Sequence, residues 1–123
     1  WVIAGDFSLA AGCKSAKRWI ALEDRPTAVF CASDQLAMGF IAELSRHGFS
    51  VPEDVSVMGF DDIDLAEQFI PPLTTIRQNR IMIGETAAKM LMARIISPAI
   101  EHEVHNAVLP VSLVSRESTA ALL

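Results

Sequence analysis

The 123-residue chain has no apolar run approaching the roughly 20 residues that a membrane-spanning helix needs, so a helical membrane protein is excluded and no membrane partner is expected. It has little basic charge: 10 Lys and Arg stand against 15 Asp and Glu, for a net charge of −5, and phosphate neutralisation needs clustered cations. These residues are therefore not expected to bind nucleic acid by themselves. Cysteine is scarce as well. Cys13 and Cys31 have no motif spacing, which points to buried reduced thiols in a cytoplasmic protein rather than to a disulfide, a metal site or a nucleophile.

Catalytic signatures are also missing. There is no G-x-S-x-G, no G-x-G-x-x-G and no Walker Lys-Ser/Thr loop. His102 and His105 flank Glu103 in a polar stretch that reads as a solvated turn, and His47 falls in the last turn of a helix, where a cation suits the dipole. No nucleophile, base and orienter come together, so the sequence points to no enzyme, no catalytic residue and no cofactor, and no complete metal-ligand set is assigned. The chain begins at Trp1 on the strand-like "WVIAG", which reads as a piece of a longer protein.

What is present is a core-rich composition, 51% hydrophobic and 20% charged, in a length suited to one domain. Strand and helix signals alternate as in a parallel sheet covered by helices, an α/β fold. "WVIAGDF" reads as a strand, and the helix after it is capped near Ser8 and stopped by Pro26. "TAVFCA" reads as a central strand buried on both faces. Next comes a helix capped by Ser33 or Asp34 and ended by Gly48, then a buried strand at Val55 to Phe60. "LAEQFI" allows a short helix that "PP" ends, and "LTTIRQ" is extended. A long helix from about Arg80 to Ile96 follows, with Asn79 as its cap, and the chain closes on an extended stretch interrupted by Pro110.

Ligands in parallel α/β sheets bind outside the carboxyl ends of the strands, and here the expected tips are Asp6-Phe7, Ser33-Asp34 and Asp61-Asp62. For Asp61, Asp62 and Asp64 three roles stay open: helix capping, with Asp62 or Asp64 starting the "LAEQF" turn, ligand hydrogen bonding, and metal binding. Asp34 suits a structural role in the first turn of its helix. Phe7 can pack in the core or cover a ligand ring, and Gln78 is either a solvated loop residue or a reader of hydroxyls.

"AVFCASDQLAMG", "VPEDVSVMGFDD", "PPLTTIRQ" and "LVSREST" occur in this order, and together they strongly resemble the C-terminal half of the effector-binding region of LacI/GalR (lactose/galactose repressor) transcription regulators. The resemblance implies a type I periplasmic-binding-protein-like fold, mostly its C-terminal subdomain, with residues 1–76 and 112–123 in that subdomain and 79–110 in elements of the N-terminal one. The crossings near Ile76 to Asn79 and Pro110 to Ser112 would be hinges, and a strand near Ala107 to Leu109 would join the long helix. That helix, with its face of Ile81, Ile83, Ala87, Met90 and Leu91, is then expected to pack on another chain, to be mobile, or to belong to a longer chain. It is not expected to be buried on its own three-strand core.

By position, Phe7 matches the aromatic that stacks on the effector, and Ser33 the polar residue opening the "SDQ" helix. Asp61 matches the carboxylate that accepts effector hydroxyls, and Gln78 the amide at the crossover. The family usually carries Asn at the position of Ser33. The resemblance also implies a homodimer through Met38, Ile41, Ala42, Leu65, Gln68 and Phe69, a sugar or nucleoside effector, and operator DNA bound by an upstream domain absent from these residues. A periplasmic sugar-binding protein of a transporter shares the fold and is the alternative.

Overall fold

Each long helix starts at a side chain that accepts from its first turn, in the computed structural model, which describes residues 2–3, 5–96 and 106–121. Helix α1, Leu9–Ile20, is capped by the Ser8 hydroxyl, which accepts from Ala11 N at 3.1 Å. Helix α2, Asp34–Arg46, is capped by Ser33 accepting from Leu36 N at 3.2 Å, and Gly48 ends it in the left-handed region at φ 79°. Helix α4, Arg80–Ile96, is capped by Asn79, whose Oδ1 accepts from Met82 N at 3.0 Å.

Four strands form one sheet in the order β1-β2-β3-β4: β1 Ala28–Phe30, β2 Ser56–Asp61, β3 Thr74–Gln78 and β4 Val111–Val114. The first three are parallel, with Val29 opposite Val57 and Gly59 opposite Thr75. A short helix α3, Leu65–Gln68, lies between β2 and β3. The chain divides into two compact units, one of Trp1–Arg77 with Leu113–Leu123 and one of Gln78–Ser112.

The first unit holds the core. Trp19 of α1, Met38, Phe40, Ile41 and Leu44 of α2, Val57 of β2 and Leu73 meet there, with Trp19 edge-on to both Phe40 and Phe49. Helices α1 and α2 touch backbone to backbone at Gly12 and Gly39, where an added Cβ would meet the carbonyl oxygens of Leu36 and Leu9 respectively. Glu43 adds a polar tie, since it pairs with Lys17 of α1 at 3.4 Å and with Arg46 at 3.0 Å.

The end of the chain is stitched to the sheet. Buried Ser118 donates from its hydroxyl to Val57 O at 2.6 Å and accepts from Thr74 N at 2.8 Å, while its carbonyl accepts from Val57 N at 2.8 Å. The stretch around Ser118 therefore lies beside β2 ahead of the start of β3, after Leu113 and Val114 have ended β4.

Several expectations are corrected. The described residues of "WVIAGDF" pair with no strand, and Val2 is 97% exposed. "TAVFCA" yields a three-residue strand at the sheet edge with Phe30 61% exposed, because β1 has β2 on one side and no partner strand on the other among the described residues. Cys31 is buried just beyond it, and Cys13 is half-buried on α1; both thiols are free. Residues 106–110 form no strand, so none is found near Ala107 to Leu109. Helix α4 has no buried residue. His102, Glu103 and His105, together with Pro98, lie outside the described residues.

Candidate functional site

Residues at the carboxyl ends of the parallel strands are where this topology gathers a site. At the end of β2 the backbone turns through two left-handed residues that are not glycine, Asp61 at φ 112° and Asp62 at φ 54°. Behind them lies Asp34, fully buried in the first turn of α2. Its Oδ1 accepts the Thr75 hydroxyl at 2.5 Å and its Oδ2 accepts Ile63 N at 2.8 Å, so it ties α2 to β3 and to the turn after β2. Gly59 makes room for it, since a Cβ there would meet the Asp34 carboxylate. Burial pushes the Asp34 carboxyl up, the Thr75 and Ile63 hydrogen bonds pull it down, and the charges of Asp61 and Asp62 add to the rise, so its pKa ends above the ordinary value. The structural role expected of Asp34 is thus fulfilled by reaching across to β3 as well as by its place in the helix.

Of the two acids expected to start the "LAEQF" turn, Asp64 takes the N-cap position of α3, though without a side-chain cap bond, and Asp62 does not. The Asp62 carboxylate accepts Arg77 Nε at 2.5 Å and Arg116 Nη2 at 2.8 Å. Two guanidiniums outcompete a one-turn helix for this carboxylate, as charge-assisted bonds are about twice as strong as neutral ones. Burial works against ionisation of Asp62, but the hydrogen bonds and charges of Arg77 and Arg116 outweigh it and hold the carboxyl below its ordinary range. Arg116 is itself anchored, Nη1 donating to Leu73 O at 2.8 Å and its amide to Thr74 Oγ1 at 2.9 Å. Sequence reasoning missed both arginines; each is a lone cation in an extended segment, "LTTIRQ" and "LVSREST".

Phe7 and Ser33 come together: the Ser33 hydroxyl donates to Phe7 O at 3.4 Å while accepting from Leu36 N, and the Phe7 ring is 64% exposed. Asp61 is half-buried at the tip of β2. Gln78, the last residue of β3, belongs to the second unit. A cleft of about 610 Å³ runs along β1 within the first unit, lined by Val2, Ile3, Phe7, Trp19, Phe30 and Leu36 among others. Neither Ser33 nor Asp61 lines it. Cys31 does, and burial pushes its thiol up to about 12, which makes it an inert wall rather than a nucleophile. Among the described residues no group of three or more His, Cys, Asp or Glu is placed to hold a metal ion.

The expected dimer patch is altered. Met38 and Ile41 are 2% and 4% exposed within their own core, because that face of α2 packs on the sheet, so neither side chain is free for a second copy. Ala42 is half-buried, and Phe69 packs partly on the core. Leu65 and Gln68 are exposed.

The periplasmic binding protein-like domain model matches residues 2–119. The HTH-type transcriptional repressor PurR of Photobacterium profundum is 47% identical over 95 residues, which cover 77% of this chain and 28% of that relative. This chain belongs to the LacI/GalR family. Its periplasmic-binding-protein-like fold is shared with solved family members. A LacI family regulator from Enterococcus faecalis with bound ribose is 36% identical at a TM-score of 0.87, over 98% of this chain and 44% of that one. The Lac repressor dimer bound to operator and the anti-inducer ONPF is also 36% identical, at a TM-score of 0.84, over 95% of this chain and 40% of that one. No helix among the described residues is long and apolar enough to cross a membrane.

Proposed function

We propose that this chain is the effector-sensing part of a LacI-type transcriptional regulator. It takes a sugar or nucleoside at the carboxyl end of its sheet and performs no chemistry on it. Asp61 carries this reading: a half-buried carboxylate at the tip of β2, on left-handed backbone, in a chain of this family. A carboxylate there accepts two ligand hydroxyls, and the exposed Phe7 ring offers a face for the apolar side of a sugar or base. Ser33 holds Phe7 in place through its hydroxyl, and Gln78 keeps the reading of the crossover amide that the family resemblance implies. The two units are read as parts of the two subdomains of the family, with Gln78 and Ser112 at the crossings.

A bound ligand changes the relation of those subdomains and so the operator affinity of a DNA-binding region elsewhere in the protein, in the cytoplasm. The assembly is a homodimer, whose patch is now read as Leu65, Gln68 and Phe69 with Ala42. The ribose-bound relative supports the effector class, and the operator-bound Lac repressor dimer supports the partners. No cofactor enters this reading.

A thermal-shift screen of the full-length protein against sugars and nucleosides, ribose first, tests the reading, since a ligand stabilises the fold it binds by mass action. The best hit raises Tm, and Asp61→Ala abolishes the rise. An undiminished shift in that variant removes Asp61 from the site.

A further inference from the structure

Two consecutive left-handed residues that are not glycine cost free energy and persist where their surroundings over-determine them. The turn at 61–62 is fixed from both sides. On its far side Ile63 N donates to buried Asp34. In its middle Asp62, with a side chain 7% exposed, has both carboxylate oxygens engaged, Oδ2 by Arg77 and Oδ1 by Arg116. Arg77 is also the residue opposite Asp61 in the β2–β3 ladder, so the strand that pairs with Asp61 grips its neighbour. Arg116 is held in turn by Leu73 O and Thr74 Oγ1, which leaves the clamp little freedom to drift.

We propose that Asp62 is a positioning residue for the effector carboxylate: its grip on Arg77 and Arg116 holds the backbone of Asp61 at the angle from which that carboxylate meets the ligand. This rests on the reading of Asp61 as an effector contact. The clamp also fixes the end of β3, because Arg77 is the last residue of the first unit and Gln78 follows it. One ion-pair group thereby holds the turn that carries Asp61 and the strand end opposite it.

The test uses the full-length protein, crystallography, and calorimetric titration with D-ribose and with adenosine as probes. Asp62→Asn and the milder Arg77→Gln, at a residue whose side chain is 57% exposed, are each made in the wild type and in an Asp61→Asn background. In both clamp variants the φ of Asp61 leaves the left-handed region. Affinity for the probe that binds falls roughly tenfold in the wild-type background, the scale of supporting-residue effects, and is unchanged by the clamp variants in the Asp61→Asn background. A lower Tm with unchanged φ at Asp61 overturns the proposal, as does an equal loss of affinity in both backgrounds. If neither probe binds the wild type, or if Asp61→Asn binds as tightly as the wild type, the effector reading fails, and the crystal structures then decide the role of Asp62.

Discussion

Asp62 and Asp34 both fasten the turn after β2, and pH acts on them in opposite directions. The folded pKa of Asp62 lies below its unfolded value near 3.8, so its stabilisation is complete above that value and is lost as pH falls through the folded pKa. The folded pKa of Asp34 lies above 3.8, so ionising it weighs against the fold at neutral pH and acid relieves that cost. Urea unfolding across pH should therefore show wild type and Asp62→Asn differing by a constant amount above about pH 5 and converging below 3.8. A gap that persists into strong acid would show that the ion pairs are not its source. The clamp was invisible in the sequence because its members lie 15 and 54 positions apart, and local reasoning offered Asp62 the nearby helix instead. Ser33 was legible as a cap and Asp61 as a strand-tip acid, since both follow from their immediate neighbours. Met38 and Ile41 were misplaced for the converse reason: which side of a helix meets the sheet is decided by packing on distant residues.

Glycines separate the helices by what surrounds them. Gly12 and Gly39 let α1 and α2 approach until backbone meets backbone, and a methyl at either site meets a carbonyl oxygen that cannot move without its helix. Gly12→Ala and Gly39→Ala should each lower stability by about 1–3 kcal/mol, the range for overpacking. Gly84, inside α4, has open space where its Cβ would stand. Gly84→Ala should stabilise that helix by about 0.5–1 kcal/mol through backbone entropy. Circular dichroism during thermal unfolding measures all three, and a neutral Gly39→Ala would refute the close contact. Helix limits were legible because capping is local: Ser8, Ser33, Asn79 and Gly48 mark them in sequence and in structure. Strands were less so. "WVIAGDF" and "TAVFCA" have strand composition, but a strand exists through its partner, and composition does not reveal which edge is occupied.

At the scale of the molecule, exposed apolar side chains occur along much of the described chain, from Val2 to Leu113. Leu65 is 53% exposed and Ile70 87% exposed, on either side of a half-buried Phe69, a patch of the kind that a two-fold contact covers. Leu65→Glu, at a position that bears no core packing, should leave Tm of the subunit nearly unchanged and shift the full-length protein from dimer to monomer in sedimentation velocity. An unchanged sedimentation coefficient would place the interface elsewhere. The α/β class and the order of its elements were readable from the alternation of signals, whereas the partition into two units depends on contacts between the ends of the chain and its first half. That partition bears on how the protein is made. Ser118 reaches Val57 and Thr74 across 61 and 44 positions, so a ribosome must finish the whole inserted second unit before the residue that stitches β2 to β3 emerges. β1, β2 and β3 can thus pair before β4 and Ser118 have been synthesised, and until then the nascent chain leaves the β4 side of β3 as an open strand edge.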